Sequence, residues 1–597
     1  MSRGNIKKTS LISCILHLLV FSIMMAPGVT PSFAQHGATV PWVTYEAEDM
    51  TNTGTVMGPK YEPNVVETES SGRRCVKLSA TGQYMQFTAK AAANSMVVRY
   101  SVPDTANGVG ADYTLSLYIN KAFAGKLPLT SRYSWLYGKF PFNNDPSTGS
   151  PRNFYDEVRT NGLSINPGDL VRLQKDGTDT AISYVVDLVE LENVSAPLKQ
   201  PANSVSIKNH GAGGRGITDD TTPLNNCIKA ALSKGKSVWL PPGTYKITGN
   251  IILPSSITIQ GAGMWYATLA GDPELYTDSS RRVFMSGNGS NIHLADFAII
   301  GKVNYRKDSE SNDGLVGSYG SGSTISRIWV EHTRTGAWLV NSCGLVVDSC
   351  RFRNTIADGI NLCVGMRSTI VTNCTARGTG DDCFPVWPES YIPEKNSPGL
   401  NVITHCTAQT PFLANGSTVY GGFNNRIEDC LFRDIPYGCG ILISSTFHVG
   451  ANVFSGTTVV RRCDLIRCGG YDPGYKWRAA LQICMDTNAH GSAGISGVDL
   501  KNLNITDSIS DGMSIVGNVG TLTNAVMSNV NIHNYGLGMS DRHGLWIKSG
   551  AKGSLTVSNS AIGDTLNNSD VFNLRLVNSM PLMDVQHVQR PDEKTRP

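Results

Sequence analysis

The sequence has few charged residues and no long hydrophobic run beyond its N-terminal segment, residues 1–34. Only 17% of its 597 residues are charged, whereas 40% are hydrophobic. That hydrophobic fraction excludes a disordered chain, and the lack of further apolar runs of bilayer length excludes a polytopic membrane protein. The chain is also too long for one ordinary core, so we expect at least two domains.

The N-terminal segment, residues 1–34, has the three-part pattern of a secretory signal peptide. Three basic residues precede an apolar run over 11–26, and small residues then lead to a plausible cleavage site after Ala34. Removing these three basic residues, with no acidic ones among them, leaves 48 basic and 48 acidic side chains. We therefore expect a secreted, extracellular protein with no formal net charge. This balance disfavours nucleic acid as a partner, and no membrane attachment is expected once the signal is cut.

The sequence also lacks the cysteine patterns of a disulfide framework or a zinc site. Fourteen cysteines are present, and removing Cys14 with the signal leaves an odd number. No CxxC pair with accompanying histidines appears. Five cysteines instead follow hydrophobic residues in matching contexts: Cys350, Cys374, Cys406, Cys430 and Cys463. We interpret them as small side chains at one repeated interior position.

The repeat that these cysteines mark indicates a solenoid. Shorter and longer intervals alternate between successive cysteines, and three later segments continue the pattern with Asn502, Asn529 and Asn559 in place of cysteine. Short strands at unequal periods are typical of coils with loops of variable length. One coil cannot bury its own apolar face, so the coils must stack. Amphipathic helices are nearly absent after residue 235, which disfavours helical repeats.

We therefore predict an all-β protein whose main domain, residues 206–585, is a right-handed parallel β-helix, followed by a C-terminal tail over 586–597. Residues 219–233 predict a helix that covers the open end of the first coil. With the strand and the Pro-Gly turn that follow, this segment resembles the entry segment of the pectate-lyase-like β-helix superfamily.

Residues 35–195 form a different unit, joined to the β-helix by a linker over 196–205. Strands such as YMQF and YTLSLYI alternate polar and apolar side chains, and turn clusters separate them. This pattern favours a β-sandwich. An aromatic stretch over 134–156 either binds sugar or docks the sandwich onto the β-helix.

Glu46 and Glu48 at the start of this unit and Asp187 at its end resemble the corresponding segments of carbohydrate-binding modules of families 6 and 35. In those modules such acids often hold a structural calcium, so the resemblance implies calcium at these three residues. The alternative is that they are surface acids on edge strands.

Three aspartates carry the chemical signal. Asp358 and Asp382 each follow a repeated cysteine by eight residues. If the cysteines stack, the backbones of these two aspartates lie about 4.8 Å apart on adjacent coils, and Asp381 adds a third carboxylate. Clustered acids raise at least one pKa. Unequal pKa values within such a cluster suit glycoside hydrolysis, in which one carboxyl donates a proton and another stays ionised. Calcium binding and pure turn chemistry are the alternatives.

The segments ADGIN and GTGDDCFPVW, on a β-helix behind a β-sandwich, resemble glycoside hydrolase family 87. The resemblance implies an inverting α-1,3-glucanase or mycodextranase that cleaves neutral α-glucan. It makes Asp358, Asp381 and Asp382 the catalytic set, with no cofactor for catalysis. By analogy with polygalacturonases, which share a GDDC-type motif, Asp381 is the expected general acid, while Asp358 and Asp382 hold and activate water. Adjacent strand residues face opposite sides, so the chain must bend locally before Asp381.

The main competing function is a polygalacturonase-like hydrolase of another polysaccharide. The nearest counterpart of that family's Gly-His-Gly turn, residues 438–440, lacks the histidine, and a chain without net charge suits a neutral glucan better. A non-catalytic polysaccharide-binding protein is a further alternative. We expect a monomer. Four aromatic residues on or beside loops near the proposed site either stack on sugar rings or pack internally: Trp387, Tyr391, Tyr420 and Trp477.

Overall fold

The computed structural model describes residues 36–272, 284–310, 312–388, 398–447, 453–472, 476–486 and 494–579. Within these ranges an antiparallel β-sandwich precedes a parallel β-helix, and the one α-helix is α1 (Thr221–Ser233). No helix among the described residues has the length and apolar character needed to cross a membrane. The predicted signal peptide and C-terminal tail lie outside the described residues.

The sandwich has two antiparallel sheets that enclose one apolar core. The strands are β1 (Trp42–Glu46), β2 (Thr51–Asn52), β3 (Thr55–Met57), β4 (Cys75–Leu78), β5 (Tyr84–Thr88), β6 (Ala93–Ser101), β7 (Asp112–Ile119), β8 (Ala122–Thr130), β9 (Asp156–Ile165), β10 (Leu170–Gln174) and β11 (Tyr184–Glu192). One sheet has the order β3-β4-β11-β6-β9, with β1 also paired to β11, and the other has the order β2-β5-β10-β7-β8. The predicted sandwich is confirmed.

The β-helix begins at residue 204, and its strands continue to residue 577. Its first half contains β12 (Ser204–Ser206), β13 (Arg215–Asp219), β14 (Ser237–Leu240), β15 (Gly243–Lys246), β16 (Asn250–Pro254), β17 (Thr258–Gly261), β18 (Ala267–Ala270), β19 (Phe284–Gly289), β20 (His293–Ile300), β21 (Leu315–Tyr319), β22 (Thr324–Glu331), β23 (Ala337–Leu339), β24 (Val346–Asp348), β25 (Arg351–Arg353), β26 (Ile360–Leu362), β27 (Ile370–Thr372), β28 (Thr375–Arg377) and β29 (Phe384–Val386).

Its second half contains β30 (Val402–Thr404), β31 (Thr407–Gln409), β32 (Ser417–Val419), β33 (Gly422–Phe423), β34 (Arg426–Glu428), β35 (Leu431–Arg433), β36 (Ile441–Ser444), β37 (Phe454–Ser455), β38 (Thr458–Ile466), β39 (Gly470–Asp472), β40 (Lys476–Arg478), β41 (Leu481–Cys484), β42 (Ile495–Ser508), β43 (Met513–Val516), β44 (Leu522–Tyr535), β45 (Leu545–Ile547), β46 (Gly553–Ser558), β47 (Thr565–Asn567) and β48 (Phe572–Val577).

Two long parallel sheets run along the β-helix. The first sheet has 21 strands, with two short strands from most coils, and the second sheet has 12 strands, from β16 to β47. The apolar side chains of both sheets form one continuous buried core, as stacking of coils requires. Helix α1 buries Leu224, Cys227 and Ile228 against the first coil, so the predicted cap is confirmed.

The five repeated cysteines form a buried ladder inside the β-helix. Each is free and at most 1% exposed. The residue before each has a left-handed φ between 50° and 55° and makes the bend between the two short strands of the first sheet. Asn502 and Asn529 occupy this bend, whereas Leu503 aligns with Cys463 and Val530 aligns with Leu503. The prediction that asparagine replaces the cysteine is therefore wrong by one residue: asparagine is there because it tolerates left-handed φ.

The sandwich docks on the outer face of the first sheet through buried ion pairs. Arg377 Nε lies 2.6 Å from Glu157 Oε1, and the same guanidinium binds Glu190. Arg351 pairs with Glu192 at 2.8 Å. One further cluster joins the two units, in which His332 Nε2 lies 2.8 Å from Asp156 and close to Glu331.

The aromatic stretch over 134–156 takes part in this docking. Leu136 and Phe142 pack against Phe412, Leu413 and Ala414 of the β-helix in a separate buried cluster. Of the two roles considered from the sequence, docking is the one that these contacts show.

Candidate active site

The three aspartates meet where the chain passes from the first sheet to the second. Asp358 lies just before β26, and Asp381 and Asp382 lie just before β29 on the next coil. One carboxylate oxygen from each lies within 4.8 Å of the others. The backbone N–H of Gly359 donates to the carbonyl of Asp382 at 3.0 Å. The two coils are therefore stacked in the register that the cysteine spacing predicts.

A bend before Asp381 brings two adjacent side chains to one site. Gly378 has φ 68°, a conformation that glycine adopts readily. At Gly380, a Cβ would lie 2.1 Å from the carbonyl oxygen of Ile356 and 2.4 Å from the ring of Phe412. A side chain at position 380 would require the backbone to move, so glycine at this position permits the bend. The predicted local bend is confirmed.

Asp382 is buried and receives four hydrogen bonds. The Asn415 backbone N–H and side-chain Nδ2 donate to Oδ1 at 2.9 and 2.7 Å. Tyr420 and Thr418 donate their hydroxyls to Oδ2 at 2.9 and 3.1 Å. Burial, followed by the negative charge of Asp381, raises the pKa of Asp382 to about 7, and the donors from Asn415 and Tyr420 oppose this rise.

Asp358 is also buried but accepts fewer hydrogen bonds than Asp382. Asn361 Nδ2 donates to its Oδ2 at 2.8 Å. Burial, followed by the charges of Asp381 and Asp382, raises the pKa of Asp358 well above the ordinary range of a carboxyl. Asp358 and Asp382 are close enough to titrate as a pair. Both shifts favour retention of a proton by this pair, which suits acid/base chemistry.

Asp381 is the most exposed of the three and faces an arginine. Its side chain is 25% exposed, and Arg306 Nη2 donates to its Oδ2 at 2.8 Å. The same guanidinium donates from Nη1 to the carbonyls of Ile356 and Gly380, at 2.9 and 3.1 Å. Arg306 thus binds both the carboxylate and the bend that presents it. A guanidinium already at the cluster also opposes a divalent cation there.

The predicted aromatic residues have different environments. Trp387 is half-buried in a row of rings with Trp338 and Phe447, at centroid distances of 5.3 and 5.9 Å. Tyr420 is buried, and its hydroxyl binds Asp382. Phe447 packs edge-on against that ring at 4.8 Å, so of the two roles expected for Tyr420 these contacts favour internal packing, and sugar stacking stays a prediction.

Trp477 is half-buried between Tyr471 and Arg542. Its ring centroid lies 4.8 Å from that of Tyr471 and 5.2 Å from the Arg542 guanidinium carbon. Its role as a sugar platform stays a prediction, as does that of Trp387. Tyr391 lies outside the described residues.

The acids predicted to bind calcium lie close enough to interact. Burial, with the charge of Asp187, raises the pKa of Glu46 to about 7 and that of Glu48 to about 8. Glu46 Oε2 and Glu48 Oε2 are buried without a hydrogen-bond partner, which fits oxygen ligands for a hard cation. Asp187 instead accepts from Arg99 at 2.5 Å and from the Ser71 backbone at 2.8 Å. Glu46 also pairs through Oε1 with Arg433 at 3.2 Å, so Glu48 fits the ion better than Glu46 or Asp187, and the calcium site stays a prediction.

Sequence reasoning missed two residues that act on the aspartates. Asn415 lies one coil after Asp382, because Val386 pairs with Val419. The coil spacing could have indicated it to within one residue. Arg306 lies in the loop between β20 and β21, three coils before Asp381 along the chain, and no pattern in the sequence links the two residues.

Comparison with known proteins gives two family matches that together cover most of the chain. The family described as α-1,3-glucanase catalytic domain D1 matches residues 39–194, and α-1,3-glucanase catalytic domain D2 matches residues 222–590. The two matched segments correspond to the sandwich and the β-helix.

Solved structures with the same two-domain fold are also similar. The Agl-KA catalytic domain is 26% identical with a TM-score of 0.80, over 92% of this chain and 99% of that one. The family 87 α-1,3-glucanase from Streptomyces thermodiastaticus strain HF3-3 is 29% identical with a TM-score of 0.78, over 91% and 97%. A family 87 α-1,3-glucanase catalytic domain in complex with nigerose is 25% identical with a TM-score of 0.76, over 92% and 99%.

A curated relative, the preneck appendage protein of Bacillus phage PZA, is 25% identical over 38% of this chain. The chain spans only 26% of that protein's length, so this match covers part of the fold. The family matches to both domains carry the assignment: the chain belongs to the α-1,3-glucanases of glycoside hydrolase family 87.

Proposed function

We propose that this protein is a secreted, monomeric glycoside hydrolase that cleaves α-1,3-glucosidic bonds in neutral α-glucan, either mutan or a mixed-linkage glucan, with inversion. The observation that carries the proposal is the convergence of Asp358, Asp381 and Asp382, whose carboxylate oxygens lie within 4.8 Å of one another. Such a cluster offers both a proton donor and an ionised base at one site. The related catalytic domain in complex with nigerose supports an α-glucan substrate.

In this mechanism Asp381 acts as the general acid. Its side chain is the most accessible of the three, so it can approach the glycosidic oxygen from the cleft. Asp358 and Asp382 hold and activate the attacking water from the wall of the β-helix. Bond cleavage transfers the proton from Asp381 to the departing sugar oxygen, while the base accepts a proton from water.

The charges within the cluster constrain where the proton lies before the reaction. The raised pKa values of Asp358 and Asp382 favour a proton on that pair before substrate binds, so the buried pair is the alternative proton donor. The opposite assignment, with the proton delivered from the buried pair, predicts a different response to activated substrates.

Two solved structures of a family 87 α-1,3-glucanase each carry a single aspartate-to-alanine replacement, both with bound sugar. The two replaced positions are separated by the same number of residues as Asp358 and Asp382 in this chain. This equal spacing supports the choice of these two residues as members of the catalytic set.

The purified protein is expected to release reducing ends from insoluble α-1,3-glucan but not from polygalacturonate. Proton NMR of the first products should show the β-anomer, because inversion at an α-linkage produces it. The measurement matters because the carboxylates lie closer than the about 6.5–9.5 Å usual for two-carboxylate inverting enzymes. Initial α-anomer would refute inversion. Activity on polygalacturonate alone would favour the polygalacturonase-like function, and binding to glucan without cleavage would favour the non-catalytic one.

We also propose a structural calcium at Glu46 and Glu48 of the sandwich. Their two unpartnered oxygens are buried, and a bound cation would offset the mutual repulsion of these carboxylates. Addition of EDTA is expected to lower the melting temperature of the protein by several degrees, and excess calcium should restore it. In Glu48→Gln the EDTA effect should shrink, whereas Glu62→Gln, at an exposed acid of the same domain, should leave it intact. An unchanged melting temperature in EDTA would contradict the site.

A further inference from the structure

We infer that the aromatic loop of the sandwich domain, defined here as residues 134–156, positions the carboxylates of Asp381 and Asp382. The inference rests on the proposed function and extends it to residues outside the β-helix. Two independent sets of contacts lead from this loop to the two carboxylates.

The first set runs through Arg306. The ring of Phe140 lies 5.0 Å from the Arg306 guanidinium carbon, within the range of a cation–π contact. The Asn144 side chain donates from Nδ2 to the carbonyl of Asn304 at 2.9 Å, two residues before Arg306. The guanidinium of Arg306 then binds Asp381 and the Gly380 carbonyl. The loop therefore covers the arginine that orients the most exposed carboxylate.

The second set runs through the segment 412–415. Leu136 and Phe142 bury Phe412, Leu413 and Ala414. The next residue, Asn415, donates two hydrogen bonds to Asp382. The ring of Phe412 also fills the space that a Cβ at Gly380 would need, so it packs against the bend itself.

Phe140 is half exposed, yet its ring has a definite partner in Arg306. A ring of that size costs little at a domain surface, but it shields one face of Arg306 and limits the orientations of the guanidinium. Carboxylates that transfer protons must be held within about 0.5 Å of their productive positions, and a displacement of about 1 Å can cost about 100-fold in rate. A contact from a second domain can therefore change turnover without touching substrate.

The test is Phe140→Ala, assayed on α-1,3-linked gluco-oligosaccharide. We expect kcat to fall about 10-fold with KM within twofold of wild type, and the pH profile of kcat to shift, since the environment of Asp381 changes. Phe140→Tyr should restore kcat because it keeps the ring. Phe123→Ala removes a similarly exposed ring at a distant edge of the sandwich and should change nothing.

Hydrogen–deuterium exchange provides a readout that does not require activity. In Phe140→Ala, peptides that cover 379–383 and 412–416 should exchange faster than in wild type, while the melting temperature stays within a few degrees. Should this variant unfold, Asn144→Ala, which removes the hydrogen bond from the loop to the Asn304 carbonyl, takes its place, with a fall in kcat expected again.

Two results would overturn the inference: unchanged kcat and exchange in the variant, or a rise in KM at constant kcat, which would mean that the ring contacts sugar instead. A wild-type protein inactive on α-1,3-glucan would contradict the proposed function, and the exchange data alone would then decide whether the loop positions the aspartates.

Discussion

Asp381→Asn is expected to lower kcat on α-1,3-glucan about 10²- to 10⁴-fold, the range that general acid catalysis contributes. Asparagine has nearly the same shape but no proton to give to the departing oxygen. It can still accept a hydrogen bond from Arg306, which binds Asp381 in the wild type. The fold should therefore persist, and circular dichroism with a melting curve will check this.

The leaving group separates the two possible assignments of the acid. A substrate with an activated aryl leaving group needs little protonation, so Asp381→Asn should recover much of its rate on it, while Asp382→Asn should not. Recovery of the rate in Asp382→Asn but not in Asp381→Asn would instead place the acid on the buried pair of Asp358 and Asp382. Asp348→Asn is the matched control, since Asp348 is a half-buried aspartate on β24 away from the cluster, and it should keep full activity.

The pH profile is a second readout of the same variants. Asp382 must be ionised to act as a base, and its pKa is raised to about 7 by burial and by the charge of Asp381. For an acid whose pKa is raised in the folded enzyme, the ionised fraction grows as pH rises towards that value. The acidic limb of kcat/KM should therefore lie near neutral pH. In the free enzyme, which kcat/KM reports, the Asp381 charge raises the pKa of Asp382, so Asp381→Asn should move this limb to lower pH.

Arg377→Met is expected to destabilise the protein by about 4 kcal/mol, the typical cost of removing one partner from a buried ion pair. Arg377 bonds to both Glu157 and Glu190 across the domain interface, and all three are nearly inaccessible to water. Loss of the guanidinium removes the closest counter-charge of two buried carboxylates, and Arg353, at 3.7 Å from Glu157, offsets only part of that loss. The melting temperature from calorimetry should fall by several degrees, and the two domains should begin to unfold separately.

The control for this prediction is Arg461→Gln. Arg461 pairs with Glu428 at 2.8 Å but is 35% exposed, so its loss should cost less than about 1 kcal/mol. In addition, Glu157→Gln and Glu190→Gln in the Arg377→Met background should recover part of the loss, because neutral amides are cheaper to bury. Equal melting temperatures for Arg377→Met and Arg461→Gln would contradict the idea that the interface depends on this pair.

Several features of the fold follow from local chemistry, and the sequence shows them directly. A repeated cysteine with hydrophobic residues before it defines the coils, because each coil buries the same side chain against the next. The sequence alone does not show which residue makes the bend, because the cysteine and the residue before it are adjacent and either could mark the repeat. Left-handed φ at Asn373 and its equivalents shows that the residue before the cysteine makes the bend.

The aspartates that we propose as catalytic could be identified for the same reason. Parallel coils in register place residues of equal offset side by side, so an equal offset from each cysteine was enough to bring Asp358 and Asp382 together. The same logic, with a shift of one residue, extends to Asn415, which occupies that position on the next coil. It does not extend to residues in loops, whose lengths vary between coils.

The sequence by itself determined the stacked coils, the sandwich before them and the aspartates that share one position on adjacent coils, because each depends on regular periodicity. Only the tertiary structure decided what surrounds those aspartates. Arg306 reaches Asp381 from another loop, and Phe140 reaches Arg306 from another domain. The Tyr420 hydroxyl donates a hydrogen bond to Asp382, a contact that the sequence did not indicate. These contacts join residues far apart in the chain, and they arise from the path of irregular loops and the docking of two domains, which no local pattern encodes.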